Sequence, residues 1–361
     1  MKIVIKRLTL STIIFIITYI LIFVSRNNHE IIETYYSRGL FRGMTALISP
    51  VFSIIPVSTG EILLVLLAGG LVYQIIQLIK RPTRDHVAGK ASTLVLWLVT
   101  ANLLFWAMWG LNNFRTPLEQ NLSIEVNQLS VEDLMRTADY LVEKAVELEP
   151  YIVFDDSQLP VYPGGINGMM KNSRTYFNTF AQKHDFLNSG RYSQPKPMLF
   201  SEGMSHLNYT GIYNPFTTEP NVNVNIPIYR IPFVALHEIA HQRGIAGERE
   251  ANFVAFLAAV EEGDSFFQYS GYYSALIYVT NAILREDLEL YQQIRNEFSE
   301  HLNAVFQYDR AYWSNYQTVA ADIGEMNNER FLKATGQPEG TKSYGLVVDL
   351  IVAYVQDKMT H

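Results

Sequence analysis

The chain has 361 residues with 28 Lys and Arg against 35 Asp and Glu, which gives a formal net charge of −7. This acidic balance argues against nucleic acid as a partner, and the lack of cysteine excludes disulfides, thiolate zinc sites and cysteine nucleophiles. Charged residues make up only 17% of the chain and hydrophobic residues 48%, which argues against disorder and indicates a membrane protein.

Three strongly apolar runs lie in the first part of the chain, at about 8–24, 60–79 and 92–111. Each run is long enough to cross a hydrocarbon core of about 30 Å as a helix. No small-residue cleavage site follows the first run, which argues against a signal peptide. The sequence therefore predicts a membrane domain over residues 1–111, with the lipid bilayer as a partner, and a second domain over residues 112–361.

Basic residues predict how these spans are oriented. Residues 1–111 carry ten Lys and Arg and four Asp and Glu, whereas the rest of the chain carries 18 and 31. The basic residues precede the first span and crowd the short connection between the second and third, and such segments usually stay in the cytoplasm. We therefore expect a multi-pass protein of a bacterial cell membrane, with a cytoplasmic N-terminus and an extracytoplasmic C-terminal domain.

Helix patterns dominate the C-terminal domain. Helices are predicted at about 130–149, 167–187, 232–243, 248–262, 270–285, 287–311, 316–335 and 344–356. Apolar and polar residues alternate over Val222–Ile226, just before Pro227, which predicts a short edge strand. The expected fold class is mainly α, with three N-terminal transmembrane helices followed by a mostly helical domain that has a small strand element.

One motif carries recognisable chemistry, an H-E-x-x-H sequence formed by His237, Glu238 and His241. Residues four apart on a helix project from one face, so the two imidazoles can bind one Zn²⁺ ion. Glu238 then lies beside the metal, where its carboxylate can take a proton from zinc-bound water. The apolar neighbours of the motif favour this interpretation over a solvated helix with two unrelated histidines. Gly244 can end the helix in the left-handed conformation.

The third metal ligand is expected on the next helix. The segment from Glu248 to Asn252 resembles the E-x-x-A-[DN] pattern of membrane-bound and gluzincin-type metallopeptidases. The resemblance implies that Glu248 ligates zinc and that Asn252 supports a ligating histidine. Glu250 remains an alternative ligand, although it does not share a helix face with Asn252. The spacing also resembles the metzincin pattern, except that Gly247 stands where that pattern has its third histidine.

Nearly the whole chain resembles the bacterial family called domain of unknown function 3810. The resemblance rests on HEIAHQRGIAGEREANF around the motif, GIYNPFTTEPNVNVNIP upstream of it, TKSYGLVVDLIVAY near the C-terminus and the three apolar runs. It implies a zinc-dependent membrane peptidase with a zincin-like domain, without an established substrate.

Other residues are weaker candidates for the site. His206 and Tyr344 could donate a hydrogen bond to a tetrahedral oxyanion, and a structural role is the alternative for both. The Val222–Ile226 strand could bind an extended peptide along a free edge beside the metal helix, or could only support that helix. Aromatic residues upstream of the motif are candidates for a cleft lining: Tyr209, Tyr213 and Phe216.

These observations predict a membrane-anchored zinc metallopeptidase that hydrolyses peptide or protein substrates, with Glu238 as its general base. The alternative is a non-catalytic membrane sensor or assembly protein with a structural zinc site. The complete motif favours the enzyme, because a structural site needs no base at Glu238. Charged residues near the motif disfavour intramembrane proteolysis. The substrate and the oligomeric state are left open.

Overall fold

A computed structural model describes residues 1–80, 82–188 and 190–360, and the side chain of Tyr344 lies outside this description. The mainly helical fold class is confirmed, because helices account for most of the described residues. The N-terminal helices are α1 (Lys2–Arg26), α2 (His29–Ile31), a π-helix (Ile32–Phe41), α3 (Arg42–Ser53), α4 (Thr59–Lys80) and α5 (Arg84–Met108).

The C-terminal part follows the predicted helix pattern. Its helices are α6 (Leu118–Leu122), α7 (Val131–Leu148), α8 (Gly165–Gln182), α9 (Ser201–His206), α10 (Ile231–Gln242), α11 (Glu248–Glu262), α12 (Ser265–Glu286), α13 (Leu288–Asn296), α14 (Glu300–Ser314), α15 (Val319–Thr335) and α16 (Val347–Thr360). Short 3₁₀ helices lie at Gly110–Phe114, Glu149–Tyr151, Ile228–Arg230 and Gly340–Leu346. The predicted helix 287–311 is two helices, because the Ser299 hydroxyl accepts a hydrogen bond of 3.0 Å from the Leu302 N–H and starts α14.

Helices α1, α4 and α5 are long and apolar enough to cross a membrane, with mean hydropathies of 2.4, 2.3 and 1.7. The carboxylate of Glu219 accepts a hydrogen bond of 2.9 Å from the Gly60 N–H and so caps the first turn of α4. Helix α5 begins at Arg84, ahead of the predicted start at 92, and Asp85 suits its positive N-terminal end. It ends at Met108 rather than 111.

Contacts between the helix ends show the relative directions of the three long helices. The Arg7 side chain near the start of α1 donates a hydrogen bond of 3.2 Å to the Gly89 carbonyl near the start of α5. The Arg26 guanidinium at the end of α1 lies 5.8 Å from the ring centre of Phe114, which follows α5. These two helices therefore run parallel, and α4 runs the other way because a short connection joins it to α5. The end of α1, the start of α4 and the end of α5 lie at one end of the bundle.

The segment between α1 and α4 packs against the C-terminal part of the chain. The Glu33 carboxylate forms a buried ion pair of 2.7 Å with Arg115. Arg42 donates to the Leu187 carbonyl at 2.9 Å. The predicted division at residue 111 stays a prediction, but the segment 27–58 packs against the C-terminal part.

The predicted edge strand is wrong in extent and in position. Strands β1 (Val153–Phe154) and β2 (Pro160–Val161) form one hairpin, and β3 (Lys196–Pro197), β4 (Gly211–Asn214) and β5 (Glu219–Val222) form a sheet in the order β3-β5-β4. Strand β5 therefore has a neighbour on both sides.

The strand stops at Val222 because side chains satisfy the backbone that follows. Ser201 Oγ accepts from the Val224 N–H at 3.0 Å, and Asn223 Oδ1 accepts from the Asn225 N–H at 2.9 Å. Local bonds of this kind replace ladder hydrogen bonds.

The metal-motif helix lies at the centre of the main hydrophobic core. Helices α7, α8, α11, α12 and α16 contribute buried side chains to that core, and every residue of α10 is buried. A second aromatic cluster joins the end of α5 to the π-helix and includes Tyr36, Phe41, Trp106 and Trp109. The core therefore fixes α10 against both the C-terminal helices and the span ends.

Candidate metal centre

Helix α10 ends just before Gly244, where the chain turns back so that α11 packs beside α10. Gly244 has φ +86°, the left-handed conformation that glycine adopts without strain. The Ile245 N–H donates to the Ala240 carbonyl at 3.0 Å, which closes the last turn. The predicted role of Gly244 is therefore confirmed. The short connection that follows leads into α11 at Glu248, its first residue.

This return brings three predicted ligands together. Donor atoms of His237, His241 and Glu248 all lie within 4.8 Å of one another, and all three residues are buried. Glu248 Oε2 lies 3.2 Å from His237 Nε2 and 3.6 Å from His241 Nε2. A tetrahedron with zinc–nitrogen arms of 2.0–2.1 Å has edges of about 3.3–3.4 Å. The donor set and its spacing fit a zinc ion.

Hydrogen bonding around the cluster also suits metal binding. His241 Nδ1 lies 2.7 Å from the Ile245 carbonyl, so this nitrogen is the protonated one and Nε2 is free to ligate. Glu248 Oε2 is buried and faces the two imidazole Nε2 atoms, without a well-formed hydrogen bond to any described residue. A buried carboxylate oxygen costs free energy unless hydrogen-bond donors or a cation satisfy it.

The electrostatics of the cluster follow from burial and from the Glu248 charge. Burial lowers the pKa of His237. Burial also opposes charge on His241, but the Glu248 carboxylate outweighs it and raises the pKa of His241 to about 9. Burial acts against the ionised form of Glu248 as well, yet the two imidazoles hold the pKa of Glu248 well below its usual range. Glu248 is therefore anionic, as a carboxylate ligand must be.

Glu238 adjoins the cluster without being part of it. Its carboxyl group is buried, and Oε2 has no hydrogen-bond partner among the described residues. Burial raises the pKa of Glu238 to about 8, although the neighbouring His241 opposes the shift. A group whose pKa lies near neutrality is suited to taking and returning a proton.

Strand β4 runs directly past Glu238. A Cβ atom at Gly211 would lie 2.4 Å from Glu238 Oε1, so only glycine lets the strand approach the carboxylate this closely. β4 is an outer strand of its sheet. The strand that borders the motif at a sheet edge is thus β4 and not Val222–Ile226. Apolar and polar residues do not alternate regularly over these four positions, so no local pattern predicts the strand.

Trp109 is a contact of the cluster that sequence reasoning missed. Its indole N–H donates to the His241 carbonyl at 3.1 Å, and its ring lies edge-on to the His241 ring with centroids 5.9 Å apart. Tyr213, a predicted cleft residue, packs on Trp109 with ring centroids 5.8 Å apart and has a buried hydroxyl without a partner among the described residues. The one sequence feature that pointed towards this contact is the position of Trp109 near the end of the third apolar run.

The other predicted site residues lie in different places relative to the cluster. Asn252 is buried close to His237 and favours its protonated imidazole, although His237 Nδ1 has no hydrogen-bond partner among the described residues. Glu250 is outside the cluster: its carboxylate folds back over Gly247 and pairs with Arg249 at 3.3 Å.

Glu250 instead lines a cavity of about 530 Å³ beside the α10–α11 connection. His206 is exposed, with its ring against Tyr316 at 4.9 Å. Phe216 is partly exposed and Tyr209 donates to the Gly324 carbonyl at 3.1 Å. The position of the Tyr344 side chain lies outside the described residues.

Comparisons with known proteins place the chain in a family. A match to the family described as a protein of unknown function (DUF3810) covers residues 36–352. The chain belongs to the DUF3810 family. Searches of the curated proteins and of the solved structures found no match for this DUF3810 member. Its function must therefore be argued from the site itself.

Proposed function

We propose that the chain is a membrane-anchored zinc metallopeptidase with a zincin-like domain, and that Glu238 is its general base. The observation that carries the proposal is the buried group of His237, His241 and Glu248, whose ligand atoms lie within 4.8 Å of one another. The neighbouring carboxyl group of Glu238 has a buried oxygen with no partner among the described residues. A ligand set beside a free carboxylate is the arrangement that zinc-dependent hydrolysis requires.

The residues of the chain would divide the chemistry between them. Zinc held by such a set activates water and polarises the scissile carbonyl. Positive charge at the ligands favours the ionised form of Glu238, because an opposite charge a few ångströms away lowers a carboxyl pKa. Glu238 accepts the proton of the attacking water and then returns it to the leaving amine. Asn252 orients His237 from behind.

The free edge of β4 is the segment that would hold the substrate. An extended peptide can add to a sheet edge through main-chain hydrogen bonds. Gly211 lies at the start of this strand and against Glu238, so a peptide paired with β4 would pass the base. Ile212 and Phe216 are partly exposed near this strand and could contact apolar side chains of a substrate.

The proposed location is the outer face of a bacterial cell membrane. Lys2, Lys6 and Arg7 lie in the first two turns of α1, and further Lys and Arg residues crowd the α4–α5 connection, which favours a cytoplasmic position for both. The parallel direction of α1 and α5 supports one side for these two segments. The cluster then lies outside the cytoplasm, together with residues 27–58.

The rival proposal is a sensor or assembly protein with a structural zinc site. It leaves the partnerless buried oxygen of Glu238 without a role, whereas a general base needs that oxygen free. The test compares cells that lack the chain and are complemented either with the wild type or with Glu238→Gln. New protein N-termini, which peptide cleavage creates, are labelled and compared between the two strains. Termini that need the wild type support the peptidase, and identical termini in both strains refute it.

A further inference from the structure

Helix α15 has an apolar face that no other part of the described chain covers. Four of its residues, Val319, Ile323, Met326 and Phe331, are between 43% and 75% exposed. Val319, Ile323 and Met326 lie within about 60° of one another around the helix axis at 100° per residue. The buried residues of α15 are Gly324, Leu332 and Thr335, which lie on another face. The stripe therefore consists of Val319, Ile323 and Met326, and it faces away from the buried residues. Phe331 lies beside the buried face and has a packing partner within the chain.

The polar residues of α15 are sorted in the same way. Asp322, Glu325 and Glu329 lie together between the buried face and one edge of the apolar stripe, whereas Arg330 lies in line with the stripe. An apolar face with a basic residue in it and acids along one flank suits a helix that lies in a membrane interface. The basic side chain can bind lipid phosphates there.

Contacts within the chain place α15 at the level where the spans leave the bilayer. Phe331 near its C-terminal end packs edge-on against Phe105 in the last turn of α5, with ring centroids 6.0 Å apart. In the middle of α15, the Gly324 carbonyl accepts a hydrogen bond from Tyr209, three residues after α9. The helix therefore extends sideways from the end of a span.

A second contact, with the start of α4, holds the residues just before α9 at the same end of the bundle. The Glu61 carboxylate, in the first turn of α4, accepts hydrogen bonds from the Leu199 and Phe200 N–H groups at 2.8 and 2.9 Å. The side chains of these two residues are 68% and 67% exposed. The start of α4 and the end of α5 lie at the same end of the bundle, so both contacts point to one bilayer surface.

We propose that α15 lies on this bilayer surface, with Val319, Ile323 and Met326 among the lipid chains and Leu199–Phe200 inserted beside them. Lipid is the occupant that fits, because the Phe331–Phe105 contact holds α15 at the end of one span and Glu61 holds Leu199–Phe200 at the start of another. The inference rests on the three spans and does not depend on peptidase activity. It places the metal cluster at the membrane surface, because Trp109 joins the end of α5 to His241.

The absence of cysteine from the natural sequence allows a direct test. The full chain is placed in phosphatidylcholine nanodiscs with a single nitroxide label at Ile323→Cys or Met326→Cys. The matched control is Glu325→Cys on another face of the same helix. All three positions are exposed, so the substitutions disturb no buried packing. Collision rates of the nitroxide with oxygen, which concentrates in lipid, and with a water-soluble nickel chelate are then measured.

We expect the oxygen-to-nickel collision ratio at Ile323 and Met326 to exceed that at Glu325 several-fold. Equal ratios at the three positions would overturn the proposal. A label shielded from both reagents, with spin–spin broadening between molecules, would assign the stripe to contact between two copies and overturn it too. A second test uses Val319→Trp. If the proposal is right, lipids brominated on their acyl chains must quench the fluorescence that the new tryptophan adds.

Discussion

Trp109 Nε1 donates a hydrogen bond of 3.1 Å to the main-chain carbonyl of His241. Trp109 follows α5 directly, and His241 belongs to the metal-ligand cluster. The end of a predicted span therefore contacts the helix that carries two of the three candidate ligands. The end of α5 and the candidate metal site pack together at this point, so the position of α5 bears on the geometry of that site.

A test of this contact is Trp109→Phe, which keeps an aromatic ring and removes the donor. We expect a loss of about 1 kcal/mol in the free energy of unfolding, because a buried carbonyl loses its partner. The zinc affinity is expected to fall by a few-fold as the last turn of α10 relaxes. Thermal unfolding and zinc titration of the full chain in nanodiscs measure both. Trp97→Phe, at an exposed position of α5, is the control, and equal effects would contradict the prediction.

The ligand set predicts which substitutions release zinc. His237→Ala, His241→Ala and Glu248→Ala each remove one donor, so each should lower zinc affinity by more than the roughly 10–100-fold that loss of a supporting group causes. Glu250→Ala is the control, because that carboxylate pairs with Arg249 outside the cluster. Metal analysis of the purified variants decides the point. Zinc lost from Glu250→Ala and retained in Glu248→Ala would refute the assignment.

The sequence predicts the metal helix and its partner well, because local signals determine them. The H-E-x-x-H spacing sets the face of α10, Gly244 permits its left-handed end, and Glu248 begins α11 as expected. The choice of Glu248 over Glu250 also follows from helix periodicity, since only Glu248 shares a face with Asn252. Such features need no knowledge of distant residues.

Features that depend on tertiary contacts could not be predicted. Strand β4 has only four residues, and its position beside Glu238 depends on packing between segments far apart in sequence. Residues 27–58 read as a connection between spans, yet they pack on the C-terminal part through pairs such as Glu33–Arg115. Partners of this kind have no signature in a local pattern, so neither the edge strand nor the Trp109 contact was found.

The Glu33–Arg115 pair predicts a pH-dependent stability. Burial opposes the charge on Glu33, but Arg115 and Arg38 outweigh it and lower the pKa of Glu33. A carboxyl with a depressed pKa in the folded state stabilises the fold above its unfolded pKa of about 4.3. That contribution is lost as the pH falls through the folded value.

We expect Glu33→Gln to destabilise the chain by about 1–3 kcal/mol at pH 7, because Arg115 loses a buried partner. The difference from wild type should narrow as the pH falls below about 4. Thermal unfolding over a pH series measures it. Glu30→Gln, an exposed change in the same segment, is the control, and a difference that stays constant with pH would argue against this account.

The last prediction concerns the strand beside the base. A Cβ at Gly211 would lie 2.4 Å from Glu238 Oε1, so Gly211→Ala must displace either the carboxylate or β4. Because a shift of about 1 Å in a catalytic group can cost 10²-fold in rate, we expect turnover to fall by about that factor. Zinc should stay bound, since the three atoms nearest to this Cβ position all belong to Glu238 and not to a candidate ligand.

The control for this change is Gly168→Ala, where the added Cβ would meet Tyr162 at an ordinary 3.5 Å. Both variants are compared with wild type for zinc content, thermal unfolding and cleavage of a protein found by N-terminal labelling. Suppose that Gly211→Ala keeps its full zinc content but loses most of its cleavage, while Gly168→Ala behaves like the wild type. This result supports Glu238 as a general base in the position set by β4. If Gly211→Ala cleaves at the wild-type rate with its zinc bound, Glu238 does not act in the position that this strand fixes.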